Sequence, residues 1–280
     1  MRPGFERSSN EVRKPGPDSA PTNQGVDVET NLADRSVLIT GATGGIGQAI
    51  ARAFGAEGAK VAVAYHEAKD AALRLAEELG SAEGRALAVH YALDLPGSPE
   101  QAVAEVTDAW GGVDVLVANA VRWGARRTPG TVLEDVPAAD WEPVVGENLL
   151  PTIRTVQLAA PSMRRRGWGR IVLVSSHVAA DGHRGQEFYG AAKAGLHGFA
   201  RSVAWDLGAS GVLVNVVAPG LTLTRRVAEG LPEAVRAGEQ AATATDRLSS
   251  PEDVANAVVF LCSGANGNIS GEVLTVSGGR

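Results

Sequence analysis

The chain has little cysteine, no long apolar run and no excess of basic residues, and each shortage excludes a class of protein. Its 280 residues include one cysteine, Cys262, so no disulfide can form within the chain, and a reducing, cytoplasmic location is expected. No apolar run approaches the roughly 18 residues that a membrane-spanning helix needs, so we expect no membrane association. The net charge of −6 argues against a nucleic-acid partner, because such proteins usually present basic surfaces.

Residues 1–33 differ in composition from the rest of the chain. They carry four prolines among polar residues and show no apolar periodicity. No apolar segment follows the early arginines, so a secretory signal is not predicted. We therefore expect a disordered tail over residues 1–33 and a single folded domain over residues 34–280.

From residue 34 onward, short apolar runs alternate with stretches of helical periodicity. Seven runs rich in Val, Ile, Leu or Ala lack polar alternation, as strands buried on both faces do: 36–40, 60–64, 85–90, 113–118, 170–175, 212–217 and 272–276. The predicted helices span 45–57, 67–80, 98–110, 138–165, 187–208 and 251–263. Ser98 and Ser250 are expected to cap two of them, because each precedes a proline. The alternation predicts an α/β fold, a single-domain doubly wound parallel sheet of the Rossmann type with seven strands and helices on both faces.

A glycine-rich turn, Thr40-Gly41-Ala42-Thr43-Gly44-Gly45-Ile46-Gly47, joins the first predicted strand to the first predicted helix. Glycines let the chain turn tightly and let its backbone approach a pyrophosphate closely. The helix that follows directs its amino-terminal amides and positive dipole end at the same charge. Strand, glycine turn and helix together favour a dinucleotide-binding site over an ordinary turn.

Tyr189 and Lys193 lie four residues apart in a segment of helical periodicity, so they share one face of the helix. A phenol has a pKa of about 10, and a nearby ammonium group favours the phenolate and lowers that pKa. Such a pair can donate or accept a proton near neutral pH. Ser176 ends the fifth apolar run, where ligands of parallel sheets bind, and its hydroxyl can hold a carbonyl oxygen for Tyr189 to protonate.

With these features the chain resembles the short-chain dehydrogenase/reductase family over about residues 34–280. The matching motifs are the glycine turn, Asp94-Leu95 after the third strand, Asn148 on the long middle helix, Ser176, Tyr189, Lys193, and Pro219-Gly220 with Thr222 and Thr224. The run over residues 251–279 closely resembles the end of 3-oxoacyl-acyl-carrier-protein reductases.

The resemblance implies a catalytic tetrad of Asn148, Ser176, Tyr189 and Lys193. Tyr189 would be the general acid in ketone reduction, and Lys193 would bond the nicotinamide ribose and lower the Tyr189 pKa. Ser176 would orient the carbonyl, and Asn148 would anchor a water that relays protons to Lys193. The implied cofactor-binding residues are Gly41, Thr43, Gly44, Ile46, Gly47, Tyr65, His66, Asp94, Leu95, Asn119, Ala120, Tyr189, Lys193, Pro219, Gly220 and Thr222. The resemblance also implies a homotetramer, assembled through the two long helices and the carboxyl-terminal strand.

Two positions depart from the family pattern. The family's Asn-Asn-Ala-Gly after the fourth strand reads Ala118-Asn119-Ala120-Val121 here, and valine disfavours positive φ. We therefore expect an altered loop and a bulkier wall beside the substrate. Gly44 stands where NADP-preferring members often carry arginine.

The end of the second predicted strand bears on the choice between NADP and NAD. Residues 64–66 include no acidic side chain of the kind that NAD-preferring members use to bond the ribose hydroxyls. A 2′-phosphate would therefore meet no repulsion there, and His66 or Lys69 would help to bind it, although Glu67 weakens the argument. These residues favour NADPH/NADP as the cofactor.

The expected function is NADPH-dependent reduction of a ketone to a secondary alcohol. Two substrates compete, a 3-oxoacyl chain on acyl carrier protein and a small-molecule ketone such as an aromatic polyketide antibiotic intermediate, for example an angucycline. A non-catalytic dinucleotide-binding regulator on the same fold is the alternative, although all four tetrad residues are present. An isomerase or dehydratase is a third hypothesis, and net consumption of reduced cofactor would separate it from a reductase.

The remaining candidates surround the expected site. Trp123, with Arg122, Arg126 and Arg127, belongs either to the pocket mouth or to a solvated basic loop, and residues 221–248 match the family's mobile substrate lid. His177 and His183 flank the site, but no acidic or cysteine cluster joins them, so no metal is expected.

Overall fold

Seven parallel strands form one continuous sheet. The computed structural model describes residues 29–124, 127–128 and 130–280 of the chain. The strands are β1 (Ser36–Ile39), β2 (Lys60–Tyr65), β3 (Ala86–His90), β4 (Val115–Ala118), β5 (Gly169–Val174), β6 (Val212–Pro219) and β7 (Val273–Val276). Their order is β3-β2-β1-β4-β5-β6-β7, and the predicted doubly wound parallel sheet is confirmed. The order reverses between β1 and β4, so the ligand crevice is expected at the carboxyl ends of these two strands.

Nine helices connect or follow the strands within the described ranges. They are α1 (Gly45–Ala56), α2 (Lys69–Glu78), α3 (Ser98–Trp110), α4 (Ala138–Arg166), α5 (Val178–Asp181), α6 (Glu187–Leu207), α7 (Arg225–Gly230), α8 (Glu233–Ala241) and α9 (Pro251–Cys262). None of these helices is long and apolar enough to cross a membrane.

The sheet is buried on both faces, which explains the uninterrupted apolar runs of its strands. Val37 and Ile39 of β1 point to one face and pack with Phe54 of α1 and Val258 of α9. Leu38, between them, points to the opposite face, which α3, α4 and α6 cover. Alternate residues of a strand point to opposite faces, so both sets must be apolar here.

The two proline-marked helix starts differ in structure. Ser250 caps α9 as predicted, and its hydroxyl accepts a hydrogen bond from Asp253 N at 3.2 Å. The prediction for Ser98 is wrong, because Gly97 precedes α3 and Ser98 lies inside it. Its hydroxyl instead accepts a hydrogen bond from Ala92 N at 2.8 Å, which ties α3 to the segment after β3.

The folded part of the chain begins earlier than the predicted boundary at residue 34. Leu32 is fully buried in the core beneath α1 and α9, and Gly264 N donates a hydrogen bond to Thr30 O at 2.6 Å. Residues 29–33 therefore pack against the domain, and the rest of the predicted tail, residues 1–28, lies outside the described residues.

Candidate active site

The glycine turn is closely packed against the loop after β4. Gly41 has a φ of +63°, and a Cβ atom there would lie 2.8 Å from Ala120 Cα. At Gly47 a Cβ atom would lie 2.3 Å from Gly41 O, so no larger residue fits either position. Asn119 Nδ2 donates hydrogen bonds to Thr40 O and Gly41 O, each at 3.0 Å. The loop after β4 thus fixes the shape of the turn.

The amino terminus of α1 fits a phosphate group. Gly44 is the N-cap residue, and no side chain of the described residues caps this helix end. A Cβ atom at Gly44 would meet only Gly41 O, at 3.5 Å, so the space above the turn is open. Free amides at a helix amino terminus attract an anion. Thr43 and Ile46 flank Gly44 and Gly45 at this helix start. The turn therefore has the shape and polarity that a dinucleotide pyrophosphate requires.

The residues expected at the adenosine end lie at the same edge of the sheet. Tyr65 ends β2, and its ring packs edge-on against His90 with the centroids 5.7 Å apart. His66 Nε2 lies 3.8 Å from Asp94 Oδ1, and both side chains are about half exposed. Leu95 is 49% exposed beside them. The four residues therefore lie at the edge of the sheet where the ligand crevice is expected.

The segment after β6 lies directly over the start of α1. Gly220 N donates a hydrogen bond to Val276 O at 2.9 Å, and His177 N donates one to Pro219 O at 3.0 Å. Thr222 Oγ1 donates to Gly220 O at 3.1 Å. A Cβ atom at Gly45 would lie 2.8 Å from Thr224 Cβ, so this segment packs closely against the glycine turn.

Ser176, Tyr189 and Lys193 come together where β5 meets α6. Tyr189 and Lys193 lie on the buried face of α6, with 8% and 2% of their surfaces exposed. Lys193 Nζ donates a hydrogen bond to Val174 O at 2.9 Å and lies 5.9 Å from the centroid of the Tyr189 ring. Ser176 follows β5, and its hydroxyl accepts a hydrogen bond from Val178 N at 3.3 Å.

Asn148, the fourth tetrad candidate, is held by backbone groups on α4. Its Oδ1 accepts a hydrogen bond from Arg122 N at 3.1 Å, and its Nδ2 donates to Arg122 O at 2.9 Å and to Val144 O at 2.8 Å. Asn148 therefore fixes the loop after β4 to α4. Its implied role toward Lys193 stays a prediction.

The two titratable groups have pKa values shifted in opposite directions. Burial raises the pKa of Tyr189 to about 12, and a hydrogen bond with Ser176 acts against that rise. Burial lowers the pKa of Lys193 to about 8. The predicted lowering of the Tyr189 pKa is not found in this structure, because burial of the phenol outweighs the hydrogen bond with Ser176. Tyr189 consequently keeps its proton throughout the neutral range, which suits a proton donor.

A cavity of about 370 Å³ opens beside Tyr189, and aromatic side chains form its walls. The Trp123 ring stacks on Tyr189 with the centroids 5.5 Å apart, and Trp141 stacks on Phe188 at 5.2 Å. Val121, which does not have a positive φ, packs into the same apolar cluster as Tyr189. The altered loop and bulkier wall expected at Val121 stay a prediction, because Val121 packs beside Tyr189 but does not line the cavity. Sequence reasoning missed Trp141 and Phe188, which do line it.

Two arginines near the cavity are paired with carboxylates. Arg127 Nη2 lies 3.1 Å from Glu187 Oε1, and Arg122 Nη1 lies 3.2 Å from Glu147 Oε2. Arg226 of α7 lies over the Trp123 ring, 6.0 Å from its centroid, so the predicted lid contacts the cavity wall. Arg126, also named as a candidate, lies outside the described residues.

The two histidines near the site have local partners. His177 Nδ1 lies 3.0 Å from Asp181 Oδ2, and His183 Nδ1 lies 3.0 Å from Arg184 O. Within the described part of the chain, no group of three or more His, Cys, Asp or Glu residues is arranged to hold a metal ion.

Comparisons with known proteins identify relatives of this chain. A family model described as enoyl-(acyl carrier protein) reductase matches residues 41–280. The 3-oxoacyl-[acyl-carrier-protein] reductase FabG of Escherichia coli is 36% identical over 249 residues, which cover 89% of this chain and 98% of the relative. The short-chain reductase protein NovJ of Streptomyces niveus is 35% identical over 259 residues, covering 90% of this chain and 96% of NovJ.

A solved structure has the same fold. The 7α-hydroxysteroid dehydrogenase in complex with NADH and 7-oxo-glycochenodeoxycholic acid superposes with a TM-score of 0.83 at 32% identity, covering 90% of this chain and 96% of that one. The chain belongs to the short-chain dehydrogenase/reductase family of oxidoreductases, which act on CH–OH and C=O groups.

Proposed function

We propose that the protein reduces a ketone to a secondary alcohol with NADPH, and that Tyr189 donates the proton. The observation that carries this proposal is the position of Tyr189, which borders the 370 Å³ cavity on one side and contacts Ser176 on the other. The relatives named as 3-oxoacyl reductases and as a short-chain reductase support ketone reduction. The nicotinamide cofactor, when bound, supplies the hydride.

Each tetrad residue has a separate task in the proposed reaction. The Ser176 hydroxyl holds the ketone oxygen, and the Tyr189 hydroxyl gives that oxygen its proton. The Lys193 ammonium, 5.9 Å from the Tyr189 ring, stabilises the phenolate that remains. Asn148 keeps the loop after β4 against α4, and so fixes the wall that faces the ketone.

The preference for NADPH over NADH rests on the end of β2. Residues 64–66 carry no acidic group, and His66 is half exposed at the edge of the sheet, where it can meet a 2′-phosphate. The residues proposed to hold the nucleotide are those of the glycine turn and the sheet edge described above.

The aromatic walls favour a ring-bearing ketone of the polyketide type as the substrate. Trp123, Trp141 and Phe188 offer flat faces, and aromatic rings stack on one another at centroid distances of about 4.5–7 Å. The neighbouring Arg122 and Arg127 are already paired with carboxylates, so they offer little free charge to an acidic carrier protein. A carrier-bound 3-oxoacyl chain is the second candidate, because the relative from Escherichia coli is named for that substrate.

Assembly and location complete the proposal. We expect a homotetramer formed through α4, α6 and β7, in a reducing cytoplasm, and one catalytic domain over residues 34–280 together with the preceding residues 29–33. Gel filtration with light scattering tests the assembly.

The proposed chemistry is tested by the variant Tyr189→Phe. We expect kcat for NADPH-dependent reduction to fall by at least about a hundredfold, since general acids contribute about 10²–10⁴ in rate. NADPH affinity, measured by fluorescence, should stay within about twofold if the phenol acts in proton transfer. The substrates are a panel of polycyclic aromatic ketones and 3-oxoacyl thioesters, each assayed with NADPH and with NADH.

Tyr91→Phe is the matched control. Tyr91 is also buried with a pKa raised to about 12, but its hydroxyl bonds Thr155 away from the cavity, at 2.8 Å. Its loss should leave kcat unchanged. A wild-type protein that binds NADPH but reduces no ketone in the panel, or a fully active Tyr189→Phe, would contradict the proposal and favour a non-catalytic regulator.

A further inference from the structure

Ser175 and His197 form a partly buried polar contact directly behind the candidate tetrad. Ser175 follows β5 and precedes Ser176, and His197 lies one turn beyond Lys193 on α6. Ser175 Oγ lies 2.8 Å from His197 Nε2 and donates a hydrogen bond to Lys193 O at 3.1 Å. Ser175 N donates to Val217 O at 2.7 Å, so the serine backbone is fixed to β6.

The number of available protons defines the direction of these hydrogen bonds. A serine hydroxyl has one proton, and the Lys193 carbonyl can only accept, so the Ser175 proton is directed to Lys193 O. We assign His197 as the donor, through Nε2–H, to the Ser175 oxygen, because this assignment satisfies both contacts at once. Burial, followed by the nearby Arg201 charge, lowers the pKa of His197, which favours the neutral ring.

Three successive residues at the end of β5 therefore contact α6. The Val174 carbonyl accepts a hydrogen bond from Lys193 Nζ at 2.9 Å, and Ser175 bonds the Lys193 carbonyl and His197. Ser176 faces Tyr189. The Lys193 carbonyl and the His197 ring thus fix both the axial position and the rotation of α6 relative to the strand.

We propose that Ser175 and His197 are a pair of positioning residues that holds Tyr189 and Lys193 in register with Ser176. Neither residue touches the substrate cavity, and the pair acts through the placement of α6. The proposal rests on the proposed function, because register matters only if these three groups act together. A displacement of about 1 Å in a catalytic group can cost up to about a hundredfold in rate.

The variants His197→Leu and Ser175→Ala test the pair. We expect each to lower kcat by about tenfold, with KM for the ketone changed by less than about twofold, since the substrate walls are untouched. The double variant should also lose about tenfold, because both substitutions remove the same contact. His197→Gln, whose amide nitrogen can reach the place of Nε2–H, should recover most of the activity. Ser202→Ala is the control, since Ser202 lies on α6 and bonds only Gly198 O, at 3.1 Å, among the described residues.

A second measurement does not depend on turnover. Long-range ¹H–¹⁵N NMR of the wild-type protein should show the Nε2–H tautomer for His197, and Ser175→Ala should shift the His197 signals. Any of three results would overturn the proposal. They are an Nδ1–H tautomer in the wild type, a kcat of His197→Leu within about twofold of wild type, and additive losses of about a hundredfold in the double variant. If the wild type has the Nε2–H tautomer but reduces no ketone, the proposed function is wrong and the assignment of the Ser175–His197 contact stands.

Discussion

Replacement of Lys193 by methionine is expected to stabilise the fold at neutral pH while it abolishes the proposed activity. Lys193 is 2% exposed, and within the described residues its ammonium group donates one hydrogen bond, to Val174 O. Burial of a charged group with so few partners costs free energy. Methionine has nearly the same length, carries no charge and fits an apolar environment.

The size of the effect follows from the pKa of Lys193. The fall of this pKa from 10.5 to about 8 shows that the fold disfavours the protonated lysine. At about 1.4 kcal/mol per pH unit, the free-energy cost of keeping Lys193 protonated in the folded protein is about 3 kcal/mol. The variant leaves the Val174 carbonyl without its donor, which costs about 1 kcal/mol. We therefore expect Lys193→Met to raise the free energy of unfolding at pH 7 by about 2 kcal/mol.

The expected gain depends on pH in a defined direction. Between pH 8 and pH 10.5 the unfolded wild type binds more protons at Lys193 than the folded protein does, so wild-type stability rises with pH across this window. At about pH 9.5 the wild type should have regained about 2 kcal/mol, and the difference from the variant should have almost vanished. Urea unfolding of both proteins at the two pH values measures this change.

The control for this prediction is Lys69→Met, because Lys69 is exposed at the start of α2. That variant should gain no comparable stability at pH 7, because Lys69 is already exposed to water. A Lys193→Met protein that unfolds at lower urea concentration than wild type at pH 7, or a stability difference that stays constant between the two pH values, would refute the reasoning.

Two further variants test the glycine turn and the start of the domain. Gly47→Ala would place a methyl group 2.3 Å from Gly41 O, so the variant should lose NADPH affinity and about 1–3 kcal/mol of stability. The control Gly44→Ala, whose added methyl group has its nearest contact at 3.5 Å, should fold normally. Equal stability of the two variants in urea unfolding would contradict this account. Leu32→Ala should lower the free energy of unfolding in urea by about 2–5 kcal/mol. The control Leu73→Ala should lower it much less, because Leu73 is 49% exposed in the wild type. An unchanged free energy of unfolding in Leu32→Ala would show that Leu32 is not part of the core.

Most of the sheet could be predicted because each strand is buried on both faces. The run Val37-Leu38-Ile39 shows this directly, since its residues point alternately to two apolar cores. Helices α7 and α8 were missed for the opposite reason: neither buries a residue, so neither needs an apolar face that the sequence would reveal. Leu32 was assigned to the tail because it is isolated among polar residues, and its burial depends on α1 and α9, which are distant in sequence.

The candidate site was predictable where its chemistry is local in sequence. The glycine turn and the pair Tyr189 and Lys193 are short motifs, and the structure places both at one edge of the sheet. The stacking of Trp141 on Phe188 joins α4 to α6, and no periodicity of either helix indicates which residues meet. The direction of the Tyr189 pKa shift was wrong because spacing shows that a cation is near but does not show how deeply the phenol is buried.

The same burial acts on both members of the Tyr189–Lys193 pair, and its opposite effects define the order in which they titrate. Removal from water disfavours whichever form is charged, which is the phenolate of one residue and the ammonium of the other. Lys193, with a pKa of about 8, therefore loses its proton before Tyr189, whose pKa is about 12. If the ammonium stabilises the developing phenolate, ketone reduction should weaken above about pH 8 while the tyrosine still holds its proton. The alkaline limit of the proposed reaction is then determined by the lysine, because the donor itself remains protonated.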